Sequence, residues 1–248
     1  MQKILGYMRR AIQEYGLIDD GDRICVGVSG GKDSLVLLMG MILLRRFIGI
    51  DYEIVAVTID PQFNGVAGNY SSVEKLCADN GVEYHILPTH IGEIVFDVRK
   101  EPNPCSLCAR MRRGALHDAT LEYNCNKIAL GHNYDDVVET FVMNLFNEGR
   151  IGCFAPKSYL SRKQITLIRP LALAPENIIR RTAERNGLEV VKSKCPADGF
   201  TNREKTKQFL AQMEHNDHGF KDRLFGAMKR SNIDGWGGIN WIPTEKKD

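Results

Sequence analysis

Short apolar runs alternate along this chain with stretches whose apolar residues recur at helical spacing. The runs predict strands at residues 24–28, 53–59, 82–87, 127–130 and 165–171. The helical spacing predicts helices at residues 2–15, 33–47, 71–80, 105–123, 135–146 and 176–186, and a mostly helical region at 202–228. Regular alternation of strand and helix predicts an α/β fold with a doubly wound, mostly parallel sheet.

Four segments lack a clear period. Residues 90–104 and 149–163 have the composition of loops, and residues 189–191 could form a sixth short strand. The tail from Ser231 is rich in glycine and contains both tryptophans, so we expect it to be partly disordered.

Composition and charge fit a soluble globular protein. The 248 residues carry a formal net charge of +2, too small to indicate a nucleic-acid partner without local clusters. Seven cysteines, an odd number with one close pair, argue against a disulfide framework and for a reducing compartment. Residues 1–21 are amphipathic and charged, unlike a signal peptide. We therefore expect a cytoplasmic protein.

The segment that follows the first strand reads Ser29-Gly30-Gly31-Lys32-Asp33-Ser34. Glycines allow a tight turn, and the N–H groups at the start of the next helix favour an anion, so the segment predicts a phosphate-binding turn. It has neither the Walker A spacing nor the dinucleotide-binding fingerprint. It resembles the PP-loop of the ATP pyrophosphatases, which split ATP into AMP and pyrophosphate.

Other polar or glycine-rich segments follow the later strands. Asp60 ends the second strand, Gly131-His132-Asn133 follows the fourth, and Arg169 ends the fifth. Ligands of doubly wound sheets bind at the carboxyl ends of the strands. We therefore expect these residues to surround one site.

Cys105 and Cys108 lie three residues apart at a predicted helix start, with Arg110, Arg112 and Arg113 behind them. The helix dipole and the arginines should favour thiolates. A CxxC pair alone fits a redox pair or half of a zinc site. With Cys195 as a third ligand, the set suits a [4Fe-4S] cluster with one open iron.

The segments that begin at Cys105, Lys127 and Ile168, together with the PP-loop, resemble the TtcA/TtuA group of tRNA thiolases, most closely the tRNA 2-thiocytidine synthetases (TtcA). The resemblance covers about residues 23–195. It implies an N-terminal helix (1–20), a PP-loop domain that carries the cysteines (21–195) and a C-terminal helical extension and tail (196–248). It also implies adenylation of a tRNA pyrimidine oxygen, that of cytidine 32 in the anticodon loop, and its replacement by sulfur.

This resemblance assigns roles to particular residues. ATP would contact Ser29, Gly30, Gly31, Lys32, Asp33, Ser34, Asp60, Gly131 and His132. Catalysis would use Asp136 as acid, base or Mg²⁺ ligand (Asp135 is second), Arg112 on the α-phosphate, and Lys32 and Asp33. Cys105, Cys108 and Cys195 would bind the [4Fe-4S] cluster, and Arg110, Arg113, Arg203 and Lys205 would bind tRNA.

Further implications are a sulfur donor, such as a cysteine desulfurase or inorganic sulfide, and a homodimer. The chain departs from the TtcA pattern because Cys195-Pro-Ala-Asp198 replaces a second CxxC, and it lacks the terminal zinc-binding pairs of TtuA. The alternatives are another adenylating PP-loop enzyme (lysidine-synthetase-like, or a small-molecule sulfur transferase) and a zinc-structured nucleotide-binding module.

Overall fold

The computed structural model describes residues 1–100, 104–192, 195–196 and 202–242. Its strands form one six-stranded sheet in the order β3-β2-β1-β4-β6-β5. They are β1 Asp22–Gly27, β2 Tyr52–Asp60, β3 Glu83–Pro88, β4 Lys127–Ala129, β5 Lys157–Leu160 and β6 Ile165–Ile168. Five strands run parallel, and β5 pairs antiparallel with β6 at one edge. The predicted mostly parallel α/β fold is confirmed.

Helices cover both faces of this sheet. They are α1 Gln2–Tyr15, α2 Lys32–Leu44, α3 Ser71–Asp79, α4 Ile91–Glu93, α5 Pro104–Glu122, α6 Tyr134–Asn147, α7 Glu176–Arg185, α8 Asn202–Asn216 and α9 Phe220–Arg230. Within the described ranges, no helix is both long enough and apolar enough to cross a membrane.

The two faces of the sheet bury two separate apolar clusters. Ile24 and Val26 of β1 belong to the larger cluster, which includes residues of α1, α2, α6, α7 and α9. Cys25, between them, belongs to the smaller cluster beneath α5. Alternate residues of a strand point to opposite faces, so a strand covered on both sides must be apolar throughout. This explains why the central strands could be predicted from uninterrupted apolar runs.

The strand order reverses between β1 and β4. The chain moves from β1 through β2 to β3 on one side, and β4 and β6 lie on the other. A doubly wound sheet binds its ligands at this switch point, outside the carboxyl ends of the strands. Here the Ser29–Ser34 turn follows β1 and Gly131–Asn133 follows β4, so the two segments are neighbours.

Two strand predictions were wrong. Residues 149–163 were expected to be a loop, but β5 lies within them as an edge strand whose mixed, half-exposed side chains leave no apolar run. Residues 189–191, which could have formed a sixth short strand, have no ladder partner among the described residues, and the Val191 N–H donates to the Gly30 carbonyl instead. The region 90–104, expected to be irregular, contains α4 and a π-helical stretch at Ile94–Arg99.

The expected disorder of the tail was also wrong as far as residue 242. Trp236 is fully buried, and its indole Nε1 donates to the Phe154 carbonyl over 2.9 Å. Its ring packs edge-on against Tyr15 and Phe225. Residues 243–248 lie outside the described part of the chain.

Candidate active site

The turn between β1 and α2 is held by its own serines. The Ser34 hydroxyl donates to the Gly31 carbonyl at 2.9 Å and lies 3.2 Å from the Ser29 N–H, which donates to it. Gly30 has a φ of 79°, which only glycine adopts readily. The N-cap of α2 is Gly31, which has no side chain to bond the N–H groups of the first turn, and this arrangement suits a phosphate.

The segment after α7 covers this turn. The Gly30 carbonyl accepts a hydrogen bond from the Val191 N–H at 3.0 Å. A Cβ on Gly30 would lie 2.7 Å from the Cβ of Val191. Glycine is thus required at this position both by the backbone angle and by the close approach of the chain that leads towards Cys195.

A cavity of about 360 Å³ opens beside the turn. Eight residues predicted to act at the site line it: Ser29, Asp33, Ser34, Arg112, Arg113, Gly131, His132 and Asp136. Its other walls are mainly apolar and include Val57, Ile59, Leu116, Leu130 and Leu167. The cavity combines polar groups beside the turn with apolar surface against which a flat ring can pack.

A second cavity, of about 230 Å³, shares Ser29 and Arg112 with the first and also contacts Gly31 and Asp60. The buried Asp60 carboxylate accepts hydrogen bonds from the N–H groups of Gln62 and Gly68, at 3.2 and 2.9 Å. Asp60 therefore shapes the loop after β2, and its oxygens already have partners.

Lys32 is held beside the turn by two carboxylates. Its ammonium lies 2.9 Å from Asp33 and 2.9 Å from Glu176 at the start of α7. The other Asp33 oxygen accepts a hydrogen bond from the Asn133 amide at 3.0 Å. The turn after β1 and the segment after β4 are thus directly joined. The same junction requires Gly131, because a Cβ there would lie 3.2 Å from the Asp33 backbone.

The two aspartates at the start of α6 have different surroundings. Asp136 lines the main cavity, forms a capping box with Asn133, and accepts a hydrogen bond from the Arg203 guanidinium at 2.8 Å. Burial raises the pKa of Asp136, although the Asn133 N–H and the Arg203 charge oppose the shift. Asp135 instead accepts from the Glu176 N–H and from Lys221, both at 2.7 Å. Of these two aspartates, Asp136 lines the main cavity and Asp135 does not.

His132 faces the cavity as a neutral imidazole. Burial, reinforced by nearby arginine charges, lowers its pKa to about 3. Its Nδ1 is buried and has no hydrogen-bond partner among the described residues. Arg169 lies behind it, donates to the Ala155 carbonyl at 2.5 Å and places its guanidinium 4.7 Å from the Phe154 ring centre. Burial lowers the pKa of Arg169 to about 10.

The three predicted cluster ligands lie near one another. Cys105 and Cys108 occupy the first turns of α5, and charges on Cys195 and Cys105 act on the Cys108 thiol. The expectation that its surroundings favour a thiolate is wrong for Cys108. Burial raises its pKa, and the Arg112 charge does not offset this. In residues 1–100, 104–192, 195–196 and 202–242, no three His, Cys, Asp or Glu side chains are placed to hold a single metal ion. Such an ion needs its ligands closer together than a [4Fe-4S] cluster does, because the cysteines of a cluster bind different iron atoms.

Arg112 connects the cysteines to the cavities. It follows Cys108 by four residues, so the two side chains project from the same face of α5. Its side chain lines both the main cavity and the second one. The remaining predicted cations differ, because Arg110 and Lys205 are exposed and line neither cavity.

The comparisons with known proteins agree with this geometry. A family model described as a PP-loop domain matches residues 5–213. The chain belongs to the PP-loop family. It is 39% identical over 230 residues to the tRNA-cytidine(32) 2-sulfurtransferase of Geotalea daltonii, covering 92% of this chain and 90% of that one. The enzyme of the same name from Geobacter sulfurreducens is 37% identical, with 92% and 89% coverage.

A solved structure is similar over nearly the whole length. The U34-tRNA thiolase NcsA from Methanococcus maripaludis, determined with its [4Fe-4S] cluster, matches with a TM-score of 0.75 and 25% identity. The match covers 93% of this chain and 78% of that one. The predicted resemblance of this PP-loop protein to the TtcA/TtuA group of tRNA thiolases is confirmed.

Two carboxylates of this PP-loop protein were missed in the sequence. Glu176 contacts Lys32, and Glu139 is buried one turn beyond Asp136 on α6. Burial and the neighbouring Asp136 charge raise the pKa of Glu139 to about 7. Glu176 begins a helix after a parallel strand, where an acidic residue is common, so only its contact with Lys32 marks it as part of the site.

Proposed function

We propose that this chain is an ATP-dependent tRNA sulfurtransferase that replaces the C2 oxygen of cytidine 32 with sulfur and releases AMP and pyrophosphate. The placement of Arg112 carries this proposal. A single helix face brings the thiols of Cys105 and Cys108 next to a guanidinium that lines the cavity beside the PP-loop. An activated oxygen held at that cavity would lie close to the site of sulfur delivery.

The relatives support the choice of substrate. The curated relatives that are 39% and 37% identical carry the name tRNA-cytidine(32) 2-sulfurtransferase. The more distant structural neighbour is a thiolase of uridine 34 in tRNA. Because the closer similarity is to the cytidine enzymes, we assign cytidine 32 to this chain and keep uridine 34 as the second candidate.

The PP-loop would bind the pyrophosphate end of ATP. Unpaired N–H groups at the start of α2 and the Lys32 ammonium offer positive charge there. The apolar part of the main cavity would hold the adenosine ring. Asp33 and Asp136, both lining that cavity, offer carboxylate oxygens to Mg²⁺, the ion that normally accompanies ATP.

A pyrimidine C2 carbonyl is a poor electrophile, and adenylating its oxygen makes AMP the leaving group. Arg112 would stabilise the negative charge on the α-phosphate as that bond forms. His132 is neutral, so it would act as a hydrogen-bonding group and not as a cation. Asp136 would accept a proton or hold Mg²⁺, and Arg203 keeps its carboxylate oriented.

Cys105, Cys108 and Cys195 would hold a [4Fe-4S] cluster. They match such a cluster in donor type, and Cys105 and Cys195 both lie within electrostatic reach of the Cys108 sulfur. When bound, a cluster with three protein ligands supplies one open iron where the incoming sulfur can be held. Cys108 is buried, whereas Cys105 and Cys195 are partly exposed.

Other parts of the proposal rest on charge and composition. The exposed cations Arg110, Arg113 and Lys205 would contact tRNA phosphates. None of the seven cysteines, all of which are described, forms a disulfide, which fits a reducing cytoplasm. We further propose a homodimer, and a cysteine desulfurase or inorganic sulfide as the sulfur donor.

The test is anaerobic incubation of the iron-loaded protein with ATP, Mg²⁺, sulfide and an unmodified tRNA transcript. We expect AMP, pyrophosphate and 2-thiocytidine in equal amounts. A second transcript with uridine at position 32 separates the two candidate substrates. If cytidine 32 is the substrate, no 2-thiocytidine should form on that transcript. If uridine 34 is the substrate, 2-thiouridine should appear at position 34 of both transcripts. AMP formation that no tRNA stimulates would overturn both.

A further inference from the structure

Glu176 lies between two ammonium groups from different parts of the fold. Its Oε1 is 2.9 Å from Lys32 of the PP-loop, and its Oε2 is 2.8 Å from Lys207 of α8. Burial alone would raise the pKa of Glu176, but the hydrogen bonds from the two lysines outweigh it and lower the pKa to about 2. The carboxylate is therefore ionised at neutral pH.

The backbone fixes this carboxylate in place. The Glu176 N–H donates to Asp135 at 2.7 Å, which ties the start of α7 to the start of α6. Among the described residues, Lys32 has one further anionic partner, Asp33, its neighbour in sequence. Within that part of the chain, Glu176 is therefore the partner that holds the Lys32 ammonium from outside the PP-loop.

We propose that Glu176 is a positioning residue, which sets where the Lys32 ammonium lies relative to the pyrophosphate of ATP, and that Lys207 tunes this effect by sharing the carboxylate. The proposal rests on the proposed ATP-dependent function. The Glu176 carboxylate competes with the pyrophosphate of ATP for the Lys32 ammonium. Lys207 weakens this competition because it neutralises part of the Glu176 charge. Helix α8 thereby influences the position of Lys32 through the Glu176 carboxylate.

The two single variants should change ATP binding in opposite directions. In Glu176→Gln, Lys32 loses a competing anion, so we expect the Kd for ATP to fall about threefold, while kcat falls about tenfold because the ammonium is no longer fixed. In Lys207→Met, the whole Glu176 charge acts on Lys32, and we expect the Kd for ATP to rise about threefold.

The double variant tests whether Lys207 acts through Glu176. If it does, Lys207→Met should have no effect on the Kd for ATP in the Glu176→Gln background. A rise of the same size in both backgrounds would overturn this role and place Lys207 in direct contact with the phosphates. Lys207→Arg, which keeps the charge, should bind ATP like the wild type.

Lys229→Met provides a matched control. Lys229 is a partly buried lysine that pairs with Glu14 between α9 and α1 and lines neither cavity, so we expect unchanged ATP binding. The experiment is titration of each variant with ATP and Mg²⁺, followed by AMP formation with tRNA. Wild-type protein that binds ATP but forms no AMP with tRNA would contradict the proposed function alone. Shifts of equal sign in Glu176→Gln and Lys207→Met would contradict the positioning role, and a parallel melting curve shows whether each variant is folded.

Discussion

The Arg203 guanidinium donates a hydrogen bond to the Asp136 carboxylate over 2.8 Å, and thereby joins the start of α8 to the cavity beside the PP-loop. Arg203 had been predicted to bind tRNA phosphate. Its guanidinium also lies 3.2 Å from the Thr140 hydroxyl, so both contacts are with residues of α6. They place the start of α8 beside the main cavity.

Replacing Arg203 with methionine should shift the pH dependence of the reaction. The Arg203 charge opposes the burial that raises the pKa of Asp136, so its loss should raise that pKa further. If ionised Asp136 is required, the acidic limb of kcat/KM against pH should move about one unit to higher pH. Arg10→Met, which removes an exposed arginine paired with Glu14, is the control. An unmoved acidic limb in Arg203→Met would contradict the role of Asp136.

Glu139 should make the protein less stable as the pH rises. Its pKa is about 7 in the folded protein against an ordinary 4.5, so the folded state holds a proton that the unfolded state has lost between these values. Its stabilising contribution is complete below pH 4.5 and is lost as the pH rises through 7. Glu139→Gln should therefore gain about 3 kcal/mol over the wild type between pH 4.5 and 8. Denaturant unfolding at both pH values measures this.

The exposed Glu148, near the end of the same helix, supplies the control for that experiment. Glu148→Gln should follow the wild-type pH dependence. A Glu139→Gln variant whose stability difference from the wild type is the same at pH 4.5 and pH 8 would show that the buried carboxyl titrates normally.

Gly30→Ala should destabilise the protein more than a positive φ alone explains. The added Cβ would meet the Val191 Cβ at 2.7 Å, whereas Gly187, at a φ of 60°, has no atom within 4 Å of such a Cβ. We expect Gly187→Ala to cost about 1 kcal/mol and Gly30→Ala about 2–3 kcal/mol. If thermal unfolding shows the same loss of stability in both variants, Val191 is not packed against Gly30 of the PP-loop.

The three cysteines proposed as cluster ligands should be required for iron binding, and the other four should not. We expect Cys105→Ser, Cys108→Ser and Cys195→Ser each to lose most of the iron bound after anaerobic reconstitution, with the absorbance of the cluster. Cys77→Ala, which changes a buried thiol of α3, should retain both. Full iron content in Cys195→Ser would remove this residue from the proposed ligand set.

Sequence patterns predicted the elements of the fold whose side chains follow a regular apolar pattern. Buried parallel strands are apolar throughout, so β1 and β2 were evident, whereas the edge strand β5 carries mixed side chains and was missed. The composition around Trp236 indicated disorder. Only the packing against Tyr15 and Phe225 reveals an ordered tail up to residue 242.

The sequence predicted the parts of the site that are formed by neighbouring residues, but not the contacts between residues that are distant in the chain. The turn at Ser29–Ser34 could be recognised because neighbouring residues in sequence create it. The contact of Lys32 with Glu176 joins residues that are distant in the chain, and no local pattern encodes it. The pKa of Cys108 was misjudged for a related reason, because its burial depends on the packing of α5 against the sheet.

The most direct test of the account is nucleoside mass spectrometry of tRNA from a bacterial host that lacks its own 2-thiocytidine enzyme, with and without this chain. We predict that 2-thiocytidine returns with the wild-type chain and does not return with Lys32→Met or Cys108→Ser. Host tRNA that still lacks 2-thiocytidine, although the expressed chain is folded and contains iron, would contradict the assignment to cytidine.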